Sequence, residues 1–360
     1  MRIAITVTND LSYDQRMIRI CRSLTAAGHE VCIVGRRMSD SISLRTQDYR
    51  QVRLNCFFSK GPLFYAEYNI RLLAWLLGSG STLFWAVDLD TILPVWVASA
   101  ILRKRRFFDA HELFCEMREL RDRPLQRAVW RTIERLTVPR FPAGCTVSAS
   151  IATHYRQRYG VEYALVRNMP PLREAAAAIT SGDFILYQGA VNEGRCFEQL
   201  IPAMADVDLP LHVYGKGNFL EQAMALVRRL GLEGKVLFKG VLPPDELAAV
   251  TPGARVGISL FEDGVLQNRF SLANRFFDFI HAGVPQVCSD FEEYRAIVAE
   301  YPVALLIGRQ GPGDIAEALN KIIRNPVLHE SMREACPPAA RHFCWQTEER
   351  VLLDILEQAR

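Results

Sequence analysis

Arg2 to Gly35 reads RIAITVTNDLSYDQRMIRICRSLTAAGHEVCIVG. RIAITV has the continuous apolar make-up of a strand buried on both faces. TNDLSYDQR follows as a polar loop. MIRICRSLTAAGHEV then reads as an amphipathic helix closed by Gly28, with VCIVG as the next strand. A crossover of this length makes the two strands parallel, which is a β-α-β unit. The fold class is therefore α/β.

Further units follow in the same style. STLFWAVD precedes a helix, KRRFFDA is a strand, and CTVSAS leads into another helix. RNMPPLREAAAAITSGD (167–183) carries two adjacent prolines and little periodicity, so it reads as a linker. The pattern then restarts with FILYQGAV, LPLHVYGKG, KVLFKGV, RVGISL and PQVCSD, with helices between. These readings predict two doubly wound Rossmann-like domains facing each other across a cleft, residues 1–170 and 171–345. Residues 346–360, from QTEERVLLDILEQA, form a helix with no strand after it, expected to pack back on the first domain.

A chain of 360 residues, 49% of them hydrophobic, suits two cores. Charge is shared unevenly. Residues 1–172 hold 25 Lys and Arg against 15 Asp and Glu, whereas the remainder holds 18 against 25. A basic half joined to an acidic half implies different partners for each. The nine scattered cysteines contain no Cys-x-x-Cys pair, which fits reduced thiols in the cytoplasm better than disulfides or a zinc site. The N-terminus turns polar too early for a signal peptide, and ILPVWVASAIL (Ile92 to Leu102) is too short to span a bilayer.

In doubly wound sheets ligands sit at the carboxyl ends of the strands. After RVGISL, the loop FEDGVLQNRF leads into SLANRFFDFIHAG, read as a helix from Ser271. Ser271, Asn274, Asp278 and His281 recur at steps of three and four, one polar stripe on a helix otherwise made for a core. The helix start offers unpaired N–H groups to phosphate, Arg275 adds a fixed charge, and Asp278 suits sugar hydroxyls. The plain alternative makes Ser271 an N-cap and the stripe a solvated face. YQGAVNEGRCFEQL places Gly189, Gly194 and Arg195 after a strand, a backbone able to approach a phosphate closely. Its glycine spacing is that of neither a Walker loop nor a dinucleotide fingerprint.

In the first half, FFDAHELFCE puts Asp109, His111 and Glu112 past a strand end, where a histidine can orient a hydroxyl or move a proton. A capped helix with a surface histidine is the alternative. VDLD carries Asp88 and Asp90, a pair suited to a divalent metal or, as we prefer, to Asp90 capping the following helix. In PLQRAVWRTIERLTVPR, arginines 127, 131 and 135, with Arg123 before them, form one basic stripe. With RKRR (103–106) the stripe suits an anionic membrane surface or simply water. Stacking aromatics are not interleaved, which argues against nucleic acid.

Together, YDQR, DLDT, DAHE, GAVNEGR, YGKG, SLFEDG and ANRFFDFIHAGVPQV, in that order, resemble the retaining glycosyltransferases of GT-B fold in family 4, also labelled group 1. The resemblance covers nearly the whole chain. It implies a nucleotide-diphosphate sugar donor held by the C-terminal domain. Arg195 would contact the diphosphate, Leu272 and Ala273 would offer backbone N–H groups, and Asp278 would bind the ribose. Gly189, Asn274 and Arg275 belong to the same donor site, and His111 would lie near the donor sugar. Asp14, Arg16, Asp109 and Glu112 fall on the acceptor side.

The chain departs from the pattern at position 270, a phenylalanine where the family has the first of two glutamates. Glu262 is the substitute carboxylate, and aspartate stands at the second position. The lysine expected after Arg195 is also missing, with Lys216 or Arg275 as its replacement. By this resemblance the chain is an enzyme moving a sugar, with retention, to a saccharide or lipid-linked acceptor in envelope polysaccharide or lipopolysaccharide synthesis. It needs no metal or cofactor, and it is cytoplasmic or peripheral on the inner membrane face. A catalytically silent glycan- or nucleotide-binding partner, or a sugar-nucleotide epimerase, are the competing readings.

Overall fold

A computed structural model describes residues 1–39, 41–172 and 182–358. Much of the segment read as a linker (173–181) lies outside the described residues. The chain forms two compact units, one of Met1–Asn168 with the segment from Glu348 onward, the other of Met169–Thr347.

The first unit is built on a seven-stranded sheet. Its strands are β1 (Arg2–Thr6), β2 (Glu30–Arg36), β3 (Arg50–Leu54), β4 (Leu83–Val87), β5 (Arg105–Ala110), β6 (Gly144–Thr146) and β7 (Ala164–Leu165). They lie in the order β3-β2-β1-β4-β5-β6-β7, with every neighbouring pair parallel. Ile5 stands between Ile33 and Trp85, so the apolar run of β1 fills the middle of the sheet. All five residues of β4 are buried, as a central strand covered on both faces requires. The first crossover helix, Gln15–Ala26, is capped by Asp14, whose Oδ1 accepts from the Met17 amide at 3.0 Å.

The second unit repeats the plan with β8 (Ile185–Gln188), β9 (Leu211–Tyr214), β10 (Val236–Gly240), β11 (Val256–Ser259), β12 (Gln286–Ser289) and β13 (Ala304–Ile307). Their order, β10-β9-β8-β11-β12-β13, is that of a Rossmann sheet, again all parallel. One apolar core gathers Phe197, Leu200, Val227, Leu319 and Ile322 against the sheet. A second gathers Phe276, Phe277, Tyr294, Cys336 and Phe343. The two Rossmann-like α/β folds expected from the sequence are thus present.

Three details differ from the sequence reading. The helix placed from Ser271 begins at Asn274, and the preceding loop contains a short helix of its own, Leu266–Phe270. Ser271 ends that short helix, its amide donating to the Gln267 carbonyl at 3.0 Å, so it does not cap the longer one. Asn274, Asp278 and His281 still share one face of the longer helix, and at its far end His281 is bonded through Nε2 to the Phe343 carbonyl at 2.8 Å. Asp90 lies inside the helix Leu89–Leu102 instead of capping it, for the chain already turns helical at Leu89.

Among the described residues no helix is long and apolar enough to cross a membrane. The nine cysteines are free thiols.

Candidate functional site

Both sheets reverse direction beside their first strands, between β1 and β4 and between β8 and β11, and ligands of such sheets bind at that point. The sequence-derived residues gather at these two places, one cluster in each unit.

In the second unit, β8 ends at Gln188 and the chain turns at Gly189 with φ +117°, a conformation that favours glycine. The next loop is held to the end of β9 by backbone bonds, Gly189 N to Tyr214 O at 2.9 Å and Val191 N to Lys216 O at 3.0 Å. Gly215 is needed for that approach, because a Cβ there would stand 1.8 Å from the Gly189 carbonyl oxygen. The YGKG glycines therefore serve loop packing, and Lys216 is exposed beside them. The amide of Glu262 donates to the Gly194 carbonyl at 2.9 Å, which ties the loop after β11 to the one carrying Arg195.

Phe261 is the platform of this cluster. The Arg195 guanidinium lies 4.4 Å from its ring centroid and that of Arg275 4.6 Å. Arg275 is buried; it donates to Tyr187 Oη at 2.9 Å and to the Leu260 carbonyl at 3.3 Å, while its Nε has no partner among the described residues. Two of its five N–H donors are thus engaged by the protein, which makes it a fixed positive centre rather than a mobile grip. Asp278 Oδ2 accepts from Gln188 Nε2 at 3.1 Å, and Gln188 is itself bonded by Thr251 Oγ1 at 2.9 Å. The Ala273 amide, expected to be open to phosphate, donates to Tyr294 Oη at 3.0 Å. Leu272 is half-buried beside it and Asn274 is exposed.

The first-unit cluster is built on a buried ion pair. Arg16 Nη2 donates to Asp109 Oδ1 at 2.9 Å, its Nη1 to the Val166 carbonyl at 2.8 Å and its Nε to His111 Nε2 at 2.8 Å. His111 Nε2 also stands 3.0 Å from Asp109 Oδ2. Asp14 is not part of this cluster; besides capping its helix, it accepts from Asn9 Nδ2 at 2.6 Å. Glu112 follows His111 at the strand end, and both amides donate to Asp88 Oδ1, at 2.7 and 3.2 Å.

Asp88 was not read as a site residue, yet it organises this turn. Its φ of 55° with ψ of 176° lies where glycine is the usual residue, at a cost of about 1–3 kcal/mol. The two amide bonds to its carboxylate hold it there. Only the Asp-x-Asp pattern after a strand hinted at this; the strain left no trace in the residue types. Asp90, one step on, accepts from Thr8 Oγ1 at 2.5 Å.

Electrostatics follow from burial. Burial pushes the Asp88 carboxyl up, against the pull of His111, and lifts Asp90 to about 6. Asp109 goes the other way: burial opposes its charge, but Arg16 and His111 outweigh that and hold it below the carboxylate range. For His111, burial disfavours the imidazolium, and Asp109 with Asp88 overcomes it and raises the pKa. A histidine so placed carries positive charge to higher pH than a free one. Among the described residues no group of three or more His, Cys, Asp or Glu is arranged to hold a metal ion.

Residues 15–171 match the family model Glycosyltransferase Family 4, and residues 170–342 match Glycosyl transferases group 1. A sucrose-phosphate synthase from Thermosynechococcus elongatus has a similar fold, with a TM-score of 0.82 at 17% identity, covering 99% of this chain and 98% of that one. So does the Anabaena HepE protein solved with UDP and glucose, with a TM-score of 0.78 at 14% identity over 99% and 100% of the two chains. A curated relative, D-inositol 3-phosphate glycosyltransferase of Corynebacterium jeikeium, is 28% identical over 143 residues. That match spans 39% of this chain and only about a third (32%) of the relative. With two family models running end to end over both Rossmann-like units, the chain belongs to the GT-B glycosyltransferases of family 4 and group 1.

Proposed function

We propose that the chain transfers a sugar from a nucleotide-diphosphate sugar to a saccharide or lipid-linked acceptor, with retention, in the synthesis of envelope polysaccharide or lipopolysaccharide. The observation that carries this reading is the pair of guanidinium groups against Phe261, at the point where the second sheet reverses. Arg195, half-exposed on the glycine loop, contacts the diphosphate directly. Arg275, held by Tyr187 and Leu260, keeps a positive potential beneath it. Charge that grows on the leaving diphosphate is met by groups already in place, which lowers the barrier. Asp278, fixed by Gln188, takes the ribose. His111, bonded by Arg16 and beside Asp109, lies on the sugar and acceptor side with Glu112. Retention rests on the family likeness.

We also propose that the enzyme works at the cytoplasmic face of a membrane. Helix Pro124–Thr137 supports this, though differently from the basic stripe read in the sequence. Arg127 donates to the Cys115 carbonyl and to Glu116, and Arg131 pairs with the same Glu116 at 2.9 Å, so two of the four arginines are tied inward. What the helix shows to solvent is largely apolar: Leu125 is 83% exposed and Val129 60%. An exposed apolar ridge flanked by arginine is the pattern of a helix lying in a lipid interface.

Calorimetric titration with UDP, GDP and ADP tests the donor reading, and binding of none of them removes it. Slow hydrolysis of a donor sugar without acceptor distinguishes an enzyme from a silent binding partner.

A further inference from the structure

A concavity of about 530 Å³ opens in the first unit, lined by Arg131, Thr132, Arg135, Pro139, Arg158 and Tyr159. Neither the buried Arg16–Asp109–His111 cluster nor any residue of the donor site lines it. Three of the six lining residues are arginines, and they come from two separate helices, Pro124–Thr137 and Ala149–Tyr159. Arg158 is pre-set: its Nε donates to Tyr159 Oη at 3.1 Å and its guanidinium lies 5.7 Å from that ring's centroid. Tyr159 Oη in turn donates to Glu134 at 2.7 Å, so the floor is fixed by a chain of bonds. Arg131 is anchored at one end to Glu116, while its Nε is buried with no partner among the described residues. Arg135 is exposed at the rim.

The nearby carboxylates do not cancel this charge. Glu116 is shared by Arg127 and Arg131 and Glu134 is bonded by Tyr159, so two carboxylates stand against Arg127 and the three lining arginines. Planar guanidinium forks lining one concavity match the oxygens of a phosphoryl group better than any single carboxylate.

We propose that this concavity binds a phosphoryl anion, a phosphomonoester or diphosphate, through Arg135 and Arg158 with Arg131 behind them. The site is independent of the transferase reading. The anion comes either from a lipid headgroup or from a soluble phosphorylated molecule.

Phenylglyoxal labelling of arginines in the full chain, read residue by residue by peptide mass spectrometry at low ionic strength, tests it. One arm adds inorganic pyrophosphate; the other adds phosphatidylcholine vesicles with or without phosphatidic acid. Labelling of Arg135 and Arg158 is expected to slow at least about threefold at saturating anion, with Arg123 and Arg140 unchanged. Protection by pyrophosphate assigns a soluble source, and protection only on phosphatidic acid vesicles assigns a headgroup. Arg158→Gln should remove the protection of Arg135. Equal protection of Arg123, no selective protection in either arm, or protection of Arg135 that survives Arg158→Gln overturns the proposal. The readout is specific to each arginine, so pyrophosphate bound near Arg195 does not register as success or failure.

Discussion

Arg195 and Arg275 press against one ring: their guanidinium carbons lie 4.4 and 4.6 Å from the centroid of Phe261. Two like charges so held are within about 9 Å of each other and repel. The ring's negative face offsets part of that repulsion. A doubly charged diphosphate beside them would relieve the rest.

Arg195→Ala is therefore expected to weaken binding of a nucleoside diphosphate by about 10- to 100-fold, the scale of one lost charge-assisted contact. Isothermal titration of variant and parent measures it. Equal affinities would remove Arg195 from the donor site.

Arg16→Met leaves the Asp109 carboxylate buried with only His111 beside it. A loss of about 3–5 kcal/mol in unfolding free energy follows from breaking a buried pair on one side. Adding Asp109→Asn to that variant should recover part of the loss, because the stranded charge is gone. Denaturant unfolding of the single and double variants checks both signs.

Asp90 supplies a pH signature. Its pKa is about 6 in the folded protein against an ordinary value of 3.8, because burial disfavours the charge. Folding therefore takes up a proton between those values. The resulting stability is complete below the unfolded pKa and is lost as pH rises through 6. Asp90→Asn keeps an acceptor for Thr8 and carries no charge, so at pH of about 8 it should be more stable than the parent by at most about 3 kcal/mol and melt at a higher temperature. The advantage should shrink as pH falls through 6. A constant difference across that range would contradict the assignment.

Leu125→Gln with Val129→Gln removes the exposed apolar ridge without touching the arginines. Co-sedimentation with anionic vesicles is expected to fall several-fold, on the scale of two large side chains no longer buried in the interface. Unchanged sedimentation would leave the ridge without a membrane role.

How legible was all this in the sequence? Central strands such as LFWAV announce themselves, since a strand covered on both faces must be apolar throughout. The strands not foreseen were at or near sheet edges. In β3, RQVRL, every residue is partly exposed, so the run carries no continuous apolar signal. β7 is two residues long, below any periodicity. β13 could have been found, because VALLI is an apolar run between Pro302 and Gly308. Arg195 was visible as a charge after a strand end and Asp278 as part of a polar stripe on a helix, whereas the roles of Phe261 and Asp88 were not. An aromatic platform looks like any core phenylalanine in a string of letters. Backbone strain at an aspartate depends on bonds to amides 23 and 24 residues away.

One connection bears on how the protein is made. Glu348, nearly fully buried, belongs to the first unit, where it accepts from the Arg167 amide at 2.7 Å and from the Arg167 guanidinium at 3.2 Å. A ribosome releases the residues of the second unit before it releases that carboxylate. The first unit must therefore wait, with part of its surface uncovered, while its neighbour has everything it needs to mature. Order of birth and order of completion are inverted, and a chaperone meeting the nascent chain would find the older half the less finished one.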